Sequence, residues 1–262
     1  MLLFKNHSTY KKNIIRKILN HKTIDERNKQ IYFKKNLIEL IYINYYKIIK
    51  KYLLIKKKFI TLEIGSGNGN IKKIIPDCIT SEQFKKKNID RVENVYKIKY
   101  CKNSISNIVF IDVFHHLKFP NLALKNMHRV LIKNGRIIMI EPAMGFIPRI
   151  IYKIFHYEPN GYNLKINWSK IPKKIPKINQ YFAAQSLTWR AFFLNQLNLK
   201  SKFKVILVRP FSDFAFLLSG GYSYNSFYPK ILYPLIKIFD TILTYISLRV
   251  FSARMLIVLQ KT

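Results

Sequence analysis

The chain of 262 residues is long enough for one sizeable domain with additions, or for two small domains. Hydrophobic residues make up 49% of it and charged residues 23%, which excludes a disordered chain and predicts a packed core. The formal net charge of +34 predicts attraction to anionic partners, either nucleic acid or an anionic membrane. The positive charge can also be explained by composition alone. The excess of lysine accompanies abundant Ile, Asn, Tyr and Phe along the whole chain, as in proteins encoded by AT-rich genomes.

The cysteines and the apolar runs of the sequence indicate the cellular compartment in which we expect the protein. Cys78 and Cys101 are the only cysteines, so the sequence carries neither a disulfide framework nor a metal-binding cysteine pattern. We therefore expect a reducing compartment, the cytoplasm, and no metal site. The apolar start, Met1 to Phe4, is too short for a secretory signal. No uncharged apolar run reaches the roughly 18 residues that a membrane span needs.

Residues 1–58 are predicted to form a basic helical extension in front of a main domain over residues 59–262. Apolar residues recur at helical spacing at 14–19 and again in a longer segment, at Leu37, Ile38, Ile41, Tyr45, Ile48, Ile49 and Tyr52. This pattern predicts an amphipathic helix packed on the domain with its lysines in solvent. The alternative is a lid over a ligand site or a helix on a membrane surface.

The stretch from Thr61 to Asn70, T-L-E-I-G-S-G-N-G-N, is the most informative part of the chain. Residues 59–64 are mostly apolar, which is typical of a buried parallel strand. Glycines follow at alternate positions, Gly65, Gly67 and Gly69, and they allow a ligand to approach the backbone closely. Asn70 is positioned to cap a helix that Pro76 would stop. Strand, glycine turn and helix N-terminus together predict a cradle for a nucleotide-like ligand.

The spacing G-x-G-x-G, with Glu63 two residues before the first glycine, differs from the dinucleotide-binding pattern G-x-G-x-x-G. It resembles motif I of class I S-adenosylmethionine-dependent methyltransferases. The resemblance implies that Glu63, Gly65, Gly67 and Gly69 hold the methionine end of S-adenosylmethionine, whose ammonium group suits a carboxylate. The alternative is a tight strand-to-helix turn that binds no ligand.

A second predicted strand, residues 78–80, ends at Ser81-Glu82. An acid at the carboxyl end of this strand can accept hydrogen bonds from both ribose hydroxyls of a nucleoside. We assign this role to Glu82, with Asp90 as the competing acid. For either residue the alternative is an exposed loop charge.

Residues 89–95 predict a third short strand. Asn94-Val95 stands where the methyltransferase family usually carries an Asp-Ala-type pair that contacts adenine. The resemblance therefore assigns the adenine contact to Asn94 and Val95. Because the family residue is Asp, a loop asparagine that satisfies its own turn is an equal alternative.

Residues 105–111 predict a fourth strand that ends at Asp112, which the resemblance places in the cofactor site. The sequence D-V-F-H-H-L follows, then a helix that Gly135 would close, and then a fifth strand over 136–140. This order resembles the second half of the type-11 methyltransferase domain, so the resemblance covers residues 59–142. It implies an α/β fold, a Rossmann-like sheet of seven mostly parallel strands with helices on both faces and the last strand antiparallel.

The remaining sequence predicts a helix over 187–197, a sixth strand over 203–208 and a seventh over 255–259. Two insertions are expected, at about 143–186 and 210–253. The second is predicted to be helical, with apolar residues at Ile231, Leu235, Ile238, Phe239, Ile242 and Ile246. Its apolar side has three candidate partners, namely the core, an apolar substrate and the surface of a membrane.

Methyl transfer from a sulfonium needs alignment, exclusion of water and, for some acceptors, removal of a proton. His115 and His116 follow the fourth strand beside the expected methyl position, and a neutral imidazole could accept that proton. Lining of the cofactor pocket, or packing on the next helix, is the alternative. Further pocket candidates without a specific signal are Glu141, Trp168 and Trp189.

After the fourth strand the chain has Asp112-Val113-Phe114-His115, where methyltransferases of nucleobase amino groups commonly carry Asn/Asp-Pro-Pro-Tyr/Phe. We therefore predict a cytoplasmic methyltransferase acting on an O or C atom of a small-molecule, lipid-linked or glycan-linked acceptor, with peripheral membrane contact through 210–253. One rival hypothesis is an RNA-modifying methyltransferase that uses the basic surface. The other is a binding protein that keeps the cofactor fold without turnover.

Overall fold

The computed structural model of the chain describes residues 21–55, 60–156, 158–168, 172, 181–199 and 202–262. The helix predicted at 14–19, and Phe59 at the predicted start of the first strand, lie outside these residues.

One twisted sheet organises the described part of the chain. Its strands are β1 Ile60–Ile64, β2 Ile79–Glu82, β3 Arg91–Val92, β4 Ile105–Ile111, β5 Leu131–Pro142, β6 Phe203–Ser212 and β7 Ser252–Lys261. They lie in the order β3-β2-β1-β4-β5-β7-β6. Pairing is parallel from β3 to β5, and β7 runs antiparallel to both β5 and β6. The predicted Rossmann-like fold, with an antiparallel last strand, is confirmed.

Both faces of the central strands are buried, which explains why their sequences are continuously apolar rather than alternating. All seven residues of β4 are buried. Side chains such as Phe110 and Met139 contribute to the core on one face, while Val109 and Ile138 contribute to the core on the other. β6 carries Pro210 and is one of the two edge strands, the position in a sheet where proline is tolerated.

Helices cover the sheet and connect its strands. They are α1 His21–Lys34, α2 Asn36–Lys50, α3 Pro120–Val130, α4 Phe146–Phe155, α5 Phe214–Leu218, α6 Tyr233–Ile246 and α7 Leu248–Phe251. α2 buries Leu37, Ile38, Ile41, Tyr45, Tyr46 and Ile49, so the prediction of an amphipathic helix packed on the domain is confirmed. α5, α6 and α7 form the predicted helical insertion between the last two strands. Within the described ranges, none of the helices is long and apolar enough to cross a bilayer.

Several predicted boundaries are wrong. A single 3-10 turn, Asn70–Lys73, replaces the helix expected after the glycines, and Gly69 rather than Asn70 is its N-cap residue. The third strand is only Arg91–Val92, so Asn94 and Val95 follow it in a loop. The helix expected over 187–197 ends in a π-helical turn, Trp189–Phe193.

The fifth strand is longer than predicted. α3 passes directly into β5 at Leu131, whose backbone is already extended, so the chain needs no glycine cap there. Gly135 therefore lies inside β5. A Cβ atom at this position would lie 2.9 Å from the carbonyl oxygen of Ile132 and 3.2 Å from that of Ser106, so only glycine fits.

Candidate functional site

A cavity of about 560 Å³ lies at the carboxyl ends of β1, β2 and β4. Ligands of open α/β sheets bind at this edge, and the volume is in the usual range for small-molecule sites. Among its lining residues are most of those predicted from the sequence, namely Gly65, Gly67, Glu82, Asn94, Val95, Asp112, His115 and His116. Glu63 and Gly69 do not line the cavity.

The three motif glycines all have positive φ, but they have different surroundings. A Cβ on Gly65 would lie 2.5 Å from Cγ2 of Val113, and one on Gly69 would lie 3.0 Å from the carbonyl oxygen of Asn88. These two glycines are required by packing. A Cβ on Gly67 would meet no atom within 4 Å, because Gly67 faces the cavity. Gly67 is thus the position where a side chain would take space from a ligand.

Glu63 is buried behind the glycine turn, at the end of β1. Burial raises the pKa of its carboxyl to about 7, against the opposing effect of side-chain hydrogen bonds from Ser66 and Tyr46. Among the described residues, its Oε2 atom has no hydrogen-bond partner. A buried acceptor without a partner costs free energy, and an ammonium group nearby would remove that cost. Because Glu63 does not line the cavity, its contact with the methionine end of S-adenosylmethionine stays a prediction, and the open space in front of Gly67 is the feature of the site that fits the cofactor.

Glu82 ends β2 and is tied to the glycine turn. Its Oε1 atom accepts the backbone N–H of Gly67 at 2.7 Å and lies 3.3 Å from Nζ of Lys86. The competing acid is Asp90, whose Oδ1 accepts a hydrogen bond from Lys72 and whose Oδ2 accepts hydrogen bonds from Thr80. Asp90 does not line the cavity. The structure places Glu82, and not Asp90, beside the space that a nucleoside would occupy.

Asn94 and Val95 lie on the cavity wall after β3. Oδ1 of Asn94 accepts the backbone N–H of Tyr96 at 2.9 Å, which is the local turn hydrogen bond considered as the alternative for this residue. The adenine assignment of Asn94 and Val95 stays a prediction.

Asp112 follows β4 in the left-handed region, at φ 57. Its Oδ1 atom pairs with the guanidinium of Arg254, and Oδ2 accepts the hydroxyl of Tyr42 at 2.8 Å. Burial raises the pKa of Asp112, but the charges of Arg254 and His115, together with the hydrogen bonds from Arg254 and Tyr42, outweigh burial and hold the pKa below its usual value. Arg254 is itself buried and lies over the ring of Phe216, 4.0 Å from its centroid. Asp112 is therefore anchored and ionised at the cavity wall.

His115 is held between two buried glutamates. Its Nδ1 atom lies 2.8 Å from Oε2 of Glu141, and its Nε2 atom lies 3.5 Å from Oε2 of Glu158. Burial alone would lower the pKa of His115, but hydrogen bonds to Glu141 and Glu158 raise it to about 10. His115 is thus protonated near neutral pH and is unsuited to accept a proton.

Glu141 holds this part of the backbone in place. Its carboxylate accepts the N–H groups of Val113 and Phe114 at 2.6 Å and 2.7 Å. It is fully buried and does not line the cavity, so it orients His115 from behind. The other two pocket candidates, Trp168 and Trp189, do not line the cavity either.

His116 differs from its neighbour in charge, although the two rings are only 4.0 Å apart. Nδ1 of His116 lies 2.9 Å from the carbonyl oxygen of Phe182, which can only accept, so Nδ1 carries the proton of the neutral ring. Burial and the positive charge of His115 lower the pKa of His116 below 6.5. Its Nε2 atom therefore has a lone pair, 3.8 Å from Oε1 of Glu158.

The histidines and Glu158 also form a group that could hold a metal ion, with one ligand atom from each residue within 4.8 Å of the others. The sequence predicts no metal site because it has no metal-ligand spacing, and the present grouping brings Glu158 to the histidines from a distant part of the chain. In the present arrangement protonated His115 supplies a positive charge between Glu141 and Glu158.

The cavity is covered by parts of the chain that carry no recognisable sequence motif. α2 contributes Tyr42 and Tyr46, α4 contributes Tyr152 and Phe155, and the insertion contributes residues 216–218 and 220–224. Nζ of Lys35 donates to the carbonyl oxygens of Ser219, Gly221 and Tyr224, which ties the N-terminal helices to this loop. The helices therefore form part of the cavity wall as well as packing on the domain.

Residues 62–139 match the model of the methyltransferase domain family. A protein from Thermotoga maritima, described as a possible histamine N-methyltransferase, is 16% identical with a TM-score of 0.48, over 85% of this chain and 89% of its own. A SAM-dependent methyltransferase from Methanosarcina mazei is 14% identical with a TM-score of 0.46, over 82% of this chain and 96% of its own. No curated protein matches the chain by sequence.

Proposed function

The chain is an S-adenosylmethionine-dependent methyltransferase of class I, and we propose that it methylates an oxygen or acidic carbon atom of an apolar, lipid-linked acceptor. The observation that carries the proposal is the composition of the cavity. At one end lie Gly67 and Glu82, the polar groups suited to the cofactor. At the other, aromatic and aliphatic side chains surround two neutral histidines, His116 and His156.

The acceptor end of the cavity is mostly apolar. Its wall includes Ile151, Tyr152 and Phe155 of α4 and Phe216 to Leu218 of α5. An apolar wall binds an apolar ligand because contact removes apolar surface from water, which contributes about 25 cal/mol of free energy per Å² buried. Phosphate-binding surfaces need several basic groups instead, so this wall supports an apolar acceptor over RNA.

His116 is the proposed proton acceptor. Bound S-adenosylmethionine supplies an electrophilic methyl group and a thioether leaving group. The lone pair on Nε2 of His116 takes the proton that the acceptor's oxygen or carbon loses as the new bond forms. Phe182 keeps the ring in the required tautomer, and Glu158 stabilises the imidazolium that results. Protonated His115 keeps His116 neutral beforehand.

The acceptor class is tested with two substrates that share one phenolic head group, one with an isoprenoid tail and one without. Two or three methylene groups buried in the wall, at about 0.8 kcal/mol each, predict a kcat/KM at least about tenfold higher for the tailed compound. Transfer of an isotopically labelled methyl group, followed by mass spectrometry, measures both rates. Equal rates, or transfer to RNA in preference to either phenol, would contradict the proposed acceptor.

A further inference from the structure

The helix α6 buries Tyr233 and Leu243, but it also buries an acid and exposes much of its apolar surface. Asp240 is buried, with 2% of its surface exposed, whereas Ile238 and Ile242 are 59% and 51% exposed. A soluble surface helix normally buries its apolar stripe and exposes its polar residues. This arrangement therefore leaves an apolar stripe in solvent.

Hydrogen bonds fix this orientation. The carboxylate of Asp240 accepts the backbone N–H groups of Phe214 and Ala215 and the hydroxyl of Ser212. Lys237, on the same helix, lies 3.4 Å from both Asp213 and Asp240. Rotating the helix to bury its apolar side would break these buried contacts. The hydrogen bonds and ion pairs of Asp240 and Lys237 therefore hold the apolar stripe at the surface.

A second apolar row lies close by on α4. α7 packs against both α4 and α6, so the two rows lie near each other. We call the two rows together the apolar face, and its exposed members are Phe146, Ile150, Ile154, Phe155, Leu235, Ile238, Phe239, Ile242, Tyr245 and Ile246. Exposed apolar patches of this kind commonly mark sites of protein or membrane interaction.

The charges around the apolar face have one sign. The two segments 146–156 and 227–251 contain the basic residues Arg149, Lys153, Lys230 and Arg249, besides Lys237, which is paired with Asp213 and Asp240. Their only carboxylate is the buried Asp240. A surface with exposed apolar residues, basic residues and no exposed carboxylate is complementary to a membrane that contains anionic lipids.

The cavity and the apolar face share Phe155, which lines the cavity and is also exposed at the surface. Leu218 and Phe227 of the insertion likewise line the cavity and are exposed. Apolar side chains are therefore available to an acyl or isoprenoid chain between the apolar face and the cavity.

From these observations we infer that the apolar face docks on the surface of an anionic membrane, with α4 and α6 lying in the plane of the interface. α6 has 14 residues, about 21 Å at 1.5 Å per residue, whereas crossing the hydrocarbon core takes about 30 Å. A second copy of the chain is a poorer occupant, because it would bring two chains of net charge +34, and their basic rims, together. The inference goes beyond the proposed methyl transfer, since docking requires no turnover.

Flotation of the full chain with vesicles tests the inference. The chain is expected to float with phosphatidylglycerol–phosphatidylcholine vesicles, and to bind less to them at high salt or to pure phosphatidylcholine. The double variant Ile238→Glu/Ile242→Glu is expected to reduce the bound fraction at least about tenfold, because it places two carboxylates on the apolar face. Both positions are exposed, so the variant should keep the fold.

The matched control is Val205→Glu/Leu164→Glu, which changes two exposed apolar residues outside the apolar face by the same charge. It should bind vesicles like the wild type. Calorimetric binding of S-adenosylmethionine reports on the fold of each variant and on the cofactor site, independently of docking. The inference is overturned if the wild type binds neither vesicle, if both double variants bind like the wild type, or if light scattering shows a dimer that only the Ile238→Glu/Ile242→Glu variant dissociates.

Discussion

Replacing Gly67 with valine is expected to abolish binding of S-adenosylmethionine while leaving the protein folded. A Cβ at this position meets no protein atom within 4 Å, so the new side chain would extend into the cavity beside the N–H that faces Glu82. We expect the dissociation constant to rise at least about 100-fold, which corresponds to about 2.7 kcal/mol. Calorimetric titration measures the change. The positive φ of 55° should cost valine a further 1–3 kcal/mol or so of stability, seen as a modest fall in Tm.

The control for this variant is Gly67→Ala. Alanine carries a backbone strain of the same kind, because it too has a Cβ at positive φ, but it adds only a methyl group to the cavity. Its Tm should therefore fall about as far as that of the valine variant, while its affinity for the cofactor falls less. If the folded valine variant binds S-adenosylmethionine as well as the wild type, the glycine turn is not the cofactor site.

Replacing His116 with asparagine is expected to lower kcat by about 10² to 10⁴, the usual contribution of a positioned general base. The cofactor affinity should change little, since the residue acts at the acceptor end of the cavity. In the wild type, kcat/KM should fall with decreasing pH around a pKa below 6.5, because burial and His115 lower the pKa of His116. This acid limb should be missing in the variant.

His156 offers a matched control. It is also a histidine on the cavity wall, and burial lowers its pKa to about 4, so it is neutral at neutral pH. Its Nδ1 lone pair already accepts the backbone N–H of Glu158 at 3.1 Å, and the asparagine oxygen of His156→Asn can replace that acceptor. We expect His156→Asn to keep kcat within a few-fold of the wild type. A His116→Asn variant with full kcat, or an equal loss in both variants, would refute the role of His116.

The residues that we assign to the cofactor could be proposed from the sequence because they lie close together in the chain. One short stretch of the chain contains the apolar run of β1, the three glycines and the acid at the end of β2. The chemistry of each of these residue types indicates its role without reference to the rest of the chain. Even so, the sequence did not distinguish Gly67, which faces the cavity, from Gly65 and Gly69, which are required by packing against residues elsewhere in the chain.

The acceptor end could not be predicted in the same way. Glu158 and Arg254 reach the cavity from parts of the chain that carry no motif, and only tertiary packing brings them to His115 and Asp112. The opposite charge states of His115 and His116 depend on these partners, so two adjacent histidines looked equivalent in the sequence. Similarly, helical periodicity predicted α6 but not which side is buried, because the buried hydrogen bonds of Asp240 decide that.

A crystal structure of the protein with S-adenosylhomocysteine would show how the ligand lies in the cavity. We expect the amino-acid end of the ligand at Gly67, its ribose hydroxyls on Glu82 with Asp90 still bound to Lys72 and Thr80, and its sulfur facing the acceptor end with His116. Ligand bound elsewhere, or in this cavity with its ribose on Asp90 and its sulfur pointing away from His116, would contradict this expectation.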